Sequence, residues 1–276
     1  MPDLPAPLLD AFAGRYVLKR ELCTGPLAVD YLADEAQGRR ATVVSVLRPE
    51  VAGALEAERF LGALEPLYRL HYPNIEGVAE AGQVTPFLFW ARRHSGESVR
   101  ERLRAGPLRV TDTVRIAWDV VDALSFAHDE GLLHLGLRPE CIGFSTRHVM
   151  LAEVGIAAAA RDAGLGRAGI AFAAPDYLAP EIAAGGVGDV RSDIYAIGAV
   201  AYELLLGRPS ASGAAISAVA IADERPAVPP AFAQLVARCL QPNPADRWQS
   251  AHDLLPQLAA LASLGRVSVG ARRPIS

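Results

Sequence analysis

Lysine is nearly absent from this chain. Among 276 residues there are 26 arginines and one lysine, Lys19. Together with the abundant alanine and glycine, this imbalance points to a GC-rich coding bias. Cysteine is scarce too. Cys23, Cys141 and Cys239 are odd in number, widely spaced and never in CxxC spacing, which argues against a disulfide framework or a zinc site and suits a reducing cytoplasm. Excess positive charge is missing: the net charge of −4 gives no electrostatic reason to expect nucleic acid or an anionic membrane as partner. The longest apolar run, residues 194–206, is interrupted by Glu203 and is too short to span a bilayer, so it reads as a buried core helix. The first residues are acidic and proline-rich with no apolar stretch, and no signal peptide is read. Cytoplasmic localisation is the expectation.

What is present is ample apolar material, 51% of residues, enough for one large domain or two lobes joined at a hinge. Residues 1–14 form a Pro- and Ala-rich leader. YVLKREL, VDYLAD and RATVVSVL then read as strands, the last two separated by a turn at Gly38, as in an antiparallel meander. Leu55, Phe60, Leu64 and Leu67 have helical spacing, and Pro66 should end or distort that helix. HYPNI and PFLFW suggest two further strands. After residue 97 helical patterns dominate, including one over 112–129 with Thr111 as N-cap and Val114, Ala117, Val121 and Leu124 on one face. There is no internal repeat. The order predicts an α+β fold: a small β-rich lobe with one helix over 15–91, a larger helical lobe over 92–262, and a polar tail over 263–276.

The most informative stretch is HLGLRPEC, residues 134–141. Three others follow in order: LAPE at 178–181, SDIYAIGAVAYELLLGRP at 192–209, and NPADRWQSA at 243–251. In this order and spacing they resemble the bacterial Ser/Thr protein kinase family over about residues 15–260. The resemblance implies that Glu181 and Arg247 form a buried ion pair, that Asp193 hydrogen-bonds the backbone of the 134–141 loop, and that His134 belongs to the framework. These residues carry structure, not chemistry.

The chemistry-bearing positions depart from the family pattern HRDLKPEN. The base aspartate is Gly136, the phosphate-side lysine is Arg138 and the magnesium-binding asparagine is Cys141. The DFG aspartate is Glu153; it keeps a carboxylate, but on a longer arm and without a second oxygen ligand at Cys141, so no metal is expected. The strand lysine is Ser45 and its helix glutamate is Ala63, while Glu65 points roughly 200° away around the helix. The phosphate loop is CTGPLAVDY, in which only Gly25 remains and Pro26 removes an N–H. Asp30 takes the place that packs on adenine. Its carboxylate either opposes a purine there or turns to water. Val43 and Trp90 occupy the adenine-side and gatekeeper positions; both are large, and Trp90 either fills core, shrinks the pocket, or does both. Val154 should pack against His134 in a column that also uses Leu67. Between Val154 and Ala174 there is no Ser, Thr or Tyr to phosphorylate.

On these residues the chain is expected not to be an enzyme but a pseudokinase, lacking the catalytic Asp, Lys and Asn and the DFG Asp. It would bind no cofactor or metal and would act as a protein-binding or allosteric signalling module or scaffold. The expected partner is a protein, such as an active Ser/Thr kinase or its substrate. The alternative is an atypical ATP-dependent phosphotransferase or nucleotide-transferring enzyme of weak activity, using Asp30, Glu153, Arg92, Arg93 and Arg138 to hold nucleotide. A third reading is a sensor whose cleft takes another ligand.

Overall fold

A computed structural model describes residues 4–145, 148–166, 174–210 and 216–264. Its small lobe is a five-stranded antiparallel sheet in the order β1-β2-β3-β5-β4, formed by β1 (Tyr16–Thr24), β2 (Ala28–Glu35), β3 (Gly38–Leu47), β4 (Val78–Val84) and β5 (Phe87–Arg93). Glu35 pairs with Gly38 across a two-residue turn, which fixes the β2–β3 register and sets Asp30 opposite Ser45. Ser45 in turn lies opposite Trp90 on β5. The leader is not featureless. It holds α1 (Ala6–Phe12), whose first turn carries a proline and which buries Leu8 and Phe12 against Tyr16 and Phe89 on the outer face of the sheet.

After β3 come the one-turn helix α2 (Pro49–Ala52) and α3 (Ala57–Leu64). Pro66 lies in the 3₁₀ segment Glu65–Arg69, which ends α3 as its ring geometry requires. HYPNI is not a strand. Pro73 cannot donate to a ladder, and the segment instead straps the lobes together: Leu151 donates its N–H to the Asn74 carbonyl (2.7 Å) and Glu76 donates to that of Leu151 (2.8 Å). The fourth strand is β4 instead, where Gly82 lies under the Phe89 ring.

The large lobe contains α4 (Val99–Leu103), α5 (Val110–Asp129), the hairpin β6 (Ile142–Phe144) and β7 (Val149–Leu151), α6 (Ile156–Ala160), α7 (Pro180–Ala183), α8 (Val190–Leu206), α9 (Ala218–Glu224), α10 (Pro230–Cys239) and α11 (Ala251–Leu264). Helix α5 begins one residue before Thr111, with Arg109 at the cap and no side-chain cap. Helix α8, the expected core helix, is buried along nearly its whole length; Asp189 and Ser192 form its capping box and Gly207 closes it in the left-handed region (φ 74°). No helix among the described residues is long and apolar enough to cross a membrane. The expected tail lies outside the described residues beyond 264, as does the stretch 167–173.

Candidate functional site

The framework of the 134–141 loop is built around Asp193, which is fully buried at the start of α8. Its carboxylate accepts from the backbone N–H of His134 (2.9 Å) and Leu135 (2.7 Å) and lies 2.9 Å from Nε2 of His128. Leu135 sits at φ 54°, a left-handed conformation for a non-glycine residue that these bonds hold in place. Burial holds the His134 ring below the usual histidine range, hence neutral. Its Nε2 is 3.0 Å from the Ala152 carbonyl and its Nδ1 3.4 Å from the Gly136 N–H, consistent with a proton on Nε2.

The second anchor is Arg247, fully buried. Nη1 and Nη2 donate to the two carboxylate oxygens of Glu181 (2.8 and 2.7 Å). The remaining N–H groups go to the carbonyls of Gln241, Arg191 and Pro242, and the guanidinium lies over the Tyr195 ring. Glu181 itself is only partly buried, its side chain 20% exposed. The expected ion pair is present, with the arginine fully buried and its carboxylate partner partly so.

Between the lobes the expected cleft residues converge, with partners the sequence did not reveal. Asp30 neither faces water nor lies bare: it is buried, and Arg92 from β5 donates to it through Nη2 (3.2 Å) while donating to Glu76 through Nη1 (2.5 Å). Burial pushes the Asp30 carboxyl up, with the Arg92 guanidinium pulling against it. This trio borders a cavity of about 60 Å³ lined also by Cys23, Val43 and Cys141. Ligand pockets usually measure ~300–1,000 Å³, so this cavity is too small for an adenine ring with its ribose, whereas the phosphate end opens on a larger cavity of about 280 Å³ lined by Pro26, His134, Arg138 and Glu153. Trp90 does not line it. It packs edge-on against Phe60 of α3 (6.3 Å between centroids) among Leu64 and Leu67, and so fills core. Ser45 is buried in the strand beside it, and Ala63 lies half-buried on α3, packed against the same cluster.

At the phosphate end, Arg138 and Glu153 are paired. Nη1 donates to Oε2 (2.9 Å) and Nη2 to Oε1 (3.2 Å), with both side chains 10% exposed. The Cys141 thiol adds a contact to Oε2 at 3.4 Å. Burial alone would raise the Glu153 carboxyl, but the guanidiniums of Arg138 and Arg92 outweigh it and hold the group down at about 2. Burial pushes the Cys141 thiol well up, so it stays a weak donor and not a thiolate ligand. A magnesium ion would have to displace these donors from Glu153, and a phosphate would have to displace Glu153 from Arg138. With Arg138 and Glu153 paired to each other, the residues present do not fit metal-bound ATP. Among the described residues no cluster of His, Cys, Asp or Glu is arranged to hold a metal. Arg92 and Arg138, expected among the nucleotide-holding groups, are consumed by internal pairs; Arg93 is exposed at the end of β5. The column expected through Val154 is divided, Val154 joining the large-lobe core and Leu67 the small-lobe core.

A model of the protein kinase domain family matches residues 16–257. The chain is similar to the Ser/Thr-protein kinase PknJ of Mycobacterium tuberculosis, 30% identical over 268 residues that cover 90% of this chain and 45% of that protein. It is likewise similar to PknD of the same species, 31% identical over 256 residues covering 87% and 39%. The chain thus spans less than half the length of these curated relatives. Among solved structures, the M. tuberculosis PknI kinase domain superposes with a TM-score of 0.72 at 26% identity, covering 90% of this chain and 96% of that one. These findings overturn the expectation that the chain is not an enzyme. The family that covers it is the protein kinase domain, and both curated relatives carry kinase names.

Proposed function

The chain belongs to the protein kinase family, and from that premise we propose that it is the kinase-fold domain of a bacterial signalling protein that works by engaging another protein through its large lobe. The partner class is a Ser/Thr kinase or the substrate of one. The observation that carries this reading is the unequal state of the two regions. The anchors that order the large-lobe face, Arg247 with Glu181 and Asp193 with the 134–141 loop, are complete. In the cleft, by contrast, the charged groups are engaged with one another in internal ion pairs.

Phosphoryl transfer is the second reading, favoured by the kinase names of the relatives. In this chain it requires the Arg138–Glu153 pair to open first, because both groups are engaged. One experiment weighs the two: titration of the chain with purified Ser/Thr kinase domains and their protein substrates from the same cell, with and without magnesium and radiolabelled ATP. A complex with a dissociation constant below ~10 μM, about −7 kcal/mol, supports the partner reading. Incorporation of label that depends on this chain, with no such complex, replaces it by the second.

A further inference from the structure

The cavity of about 280 Å³ reaches well past the Arg138–Glu153 pair. Pro26 and Leu27 line it from the small lobe, and Leu135, Tyr177, Ile182 and Ala196 from the large one. Its room comes from small side chains. Gly136, Ala157, Ala174, Ala179 and Ala196 bring no more than a methyl group each, from separate stretches of the chain. A Cβ on Gly136 would stand 3.4 Å from the Ala157 Cβ, ordinary contact, so a longer side chain at either position takes up cavity space. The mouth lies at Val187, which lines the cavity and is 85% exposed. Its neighbour Gly186 lies against α7: a Cβ there would stand 2.8 Å from the Glu181 carbonyl oxygen, so only glycine lets the rim lie this close. The charged and hydroxyl groups of the wall have partners within the protein. Arg138 and Glu153 neutralise each other, Arg161 pairs with Asp162, and the neutral His134 ring is bonded to the Ala152 carbonyl. The hydroxyls of Tyr177 and Ser192 donate to Glu203 and Glu181.

We propose that this cavity binds a neutral, apolar small molecule about the size of two fused rings. A charged ligand would have to break the Arg138–Glu153 pair to find a counter-ion, whereas a neutral one leaves the pair intact. The size follows from volume: an apolar cavity of roughly 150 Å³ holds one benzene ring. This one has nearly twice that space. Affinity comes from taking ligand surface out of water against alanine, leucine and isoleucine side chains that are already in place. Because Pro26 and Leu27 share the wall with large-lobe residues, an occupant touches both lobes and ties their relative position to a ligand that is not a nucleotide.

The test uses the whole chain and 1-aminonaphthalene, an uncharged two-ring fluorophore. Titration should give saturable binding with a dissociation constant below about 100 μM and a blue-shifted emission. The same rings carrying a carboxylate or an aminomethyl cation should bind about tenfold more weakly or worse. Gly136→Leu and Ala157→Leu, which fill the cavity from two elements, should each weaken 1-aminonaphthalene about tenfold or more, while Val219→Ser, at an apolar residue exposed on α9, should leave it unchanged. Hydrogen exchange should slow several-fold on binding at amides 135–137 and 177–182. Undiminished binding in both filled variants, equal affinity for a charged analogue, or no saturable binding to the natural chain overturns the site. Should Gly136→Leu fail to fold, Ala157→Leu and the exchange pattern decide, and slowing confined to other segments counts against the proposal. No partner protein enters these readouts, so they stand whether or not the partner reading does.

Discussion

At the scale of single residues the molecule separates charges that anchor from charges that close. Arg247, itself fully buried, has its donors on one carboxylate and three carbonyls. Arg247→Ala should therefore cost about 3–5 kcal/mol, read as a lowered urea midpoint at unchanged slope, because the Glu181 carboxylate and those carbonyls lose their donors together. Arg138 and Glu153 are buried against each other, so Arg138→Met should be destabilising too, by less than Arg247→Ala, since water reaches part of the pair. The pH dependence has a definite sign. Glu153 is held at about 2, below the usual 4.5. A depressed carboxylate contributes stability that is fully present above its unfolded value and is lost as pH falls from about 4.5 towards 2. Arg138→Met should flatten the acid limb of the stability profile in that window; an unchanged limb would show that the pair contributes nothing.

At the scale of elements, close approach between helices sets the tolerances. A Cβ on Gly198 of α8 would meet the Cβ of Cys239 on α10 at 2.5 Å, so Gly198→Ala should push the helices apart and lose about 1–3 kcal/mol despite alanine's better helix propensity. Thermal unfolding of the variant measures this; a gain would mean the helices yield freely. The same scale shows what was legible in the sequence. The β2–β3 hairpin, α8 and the end of α3 at Pro66 follow from local periodicity and turn chemistry, so they could be read directly. HYPNI imitates a strand in composition, but Pro73 and the Asn74 contacts turn it into a strap. Helix α1 was missed because its two core residues, Leu8 and Phe12, are one short turn's worth of pattern within prolines and alanines. In the site, substituted positions such as Gly136, Ser45 and Cys141 were visible in the sequence order. The pairings were not, since Arg92 meets Asp30 across 62 residues and Glu76 across 16, contacts that no local pattern encodes.

At the scale of the whole molecule, the small lobe does not complete its own core. Ile156, Ala159, Ala160, Ala163 and Leu165, all after Glu153, pack in one cluster with Phe60, Leu64 and Trp90. Glu56 at the head of α3 donates its N–H to the Ala163 carbonyl (2.8 Å). Ala63, the helix position at which the family pattern has glutamate, packs against this cluster, which couples the lobes through burial as well as charge. Ala160 is fully buried at the centre of this contact. Ala160→Glu places an unpaired carboxylate there, costing about 3 kcal/mol or more. Because the cluster is shared, the damage should appear at a distance. Amides of β3, β5 and α3 should exchange faster, while the α8–α10 core of the large lobe keeps its protection. If exchange quickens only within 156–165, the segment is an appendage on a self-sufficient small lobe. If it quickens through the sheet, the segment after Glu153 is a structural part of the small lobe, and any motion that frees it must loosen α3 and the cleft together.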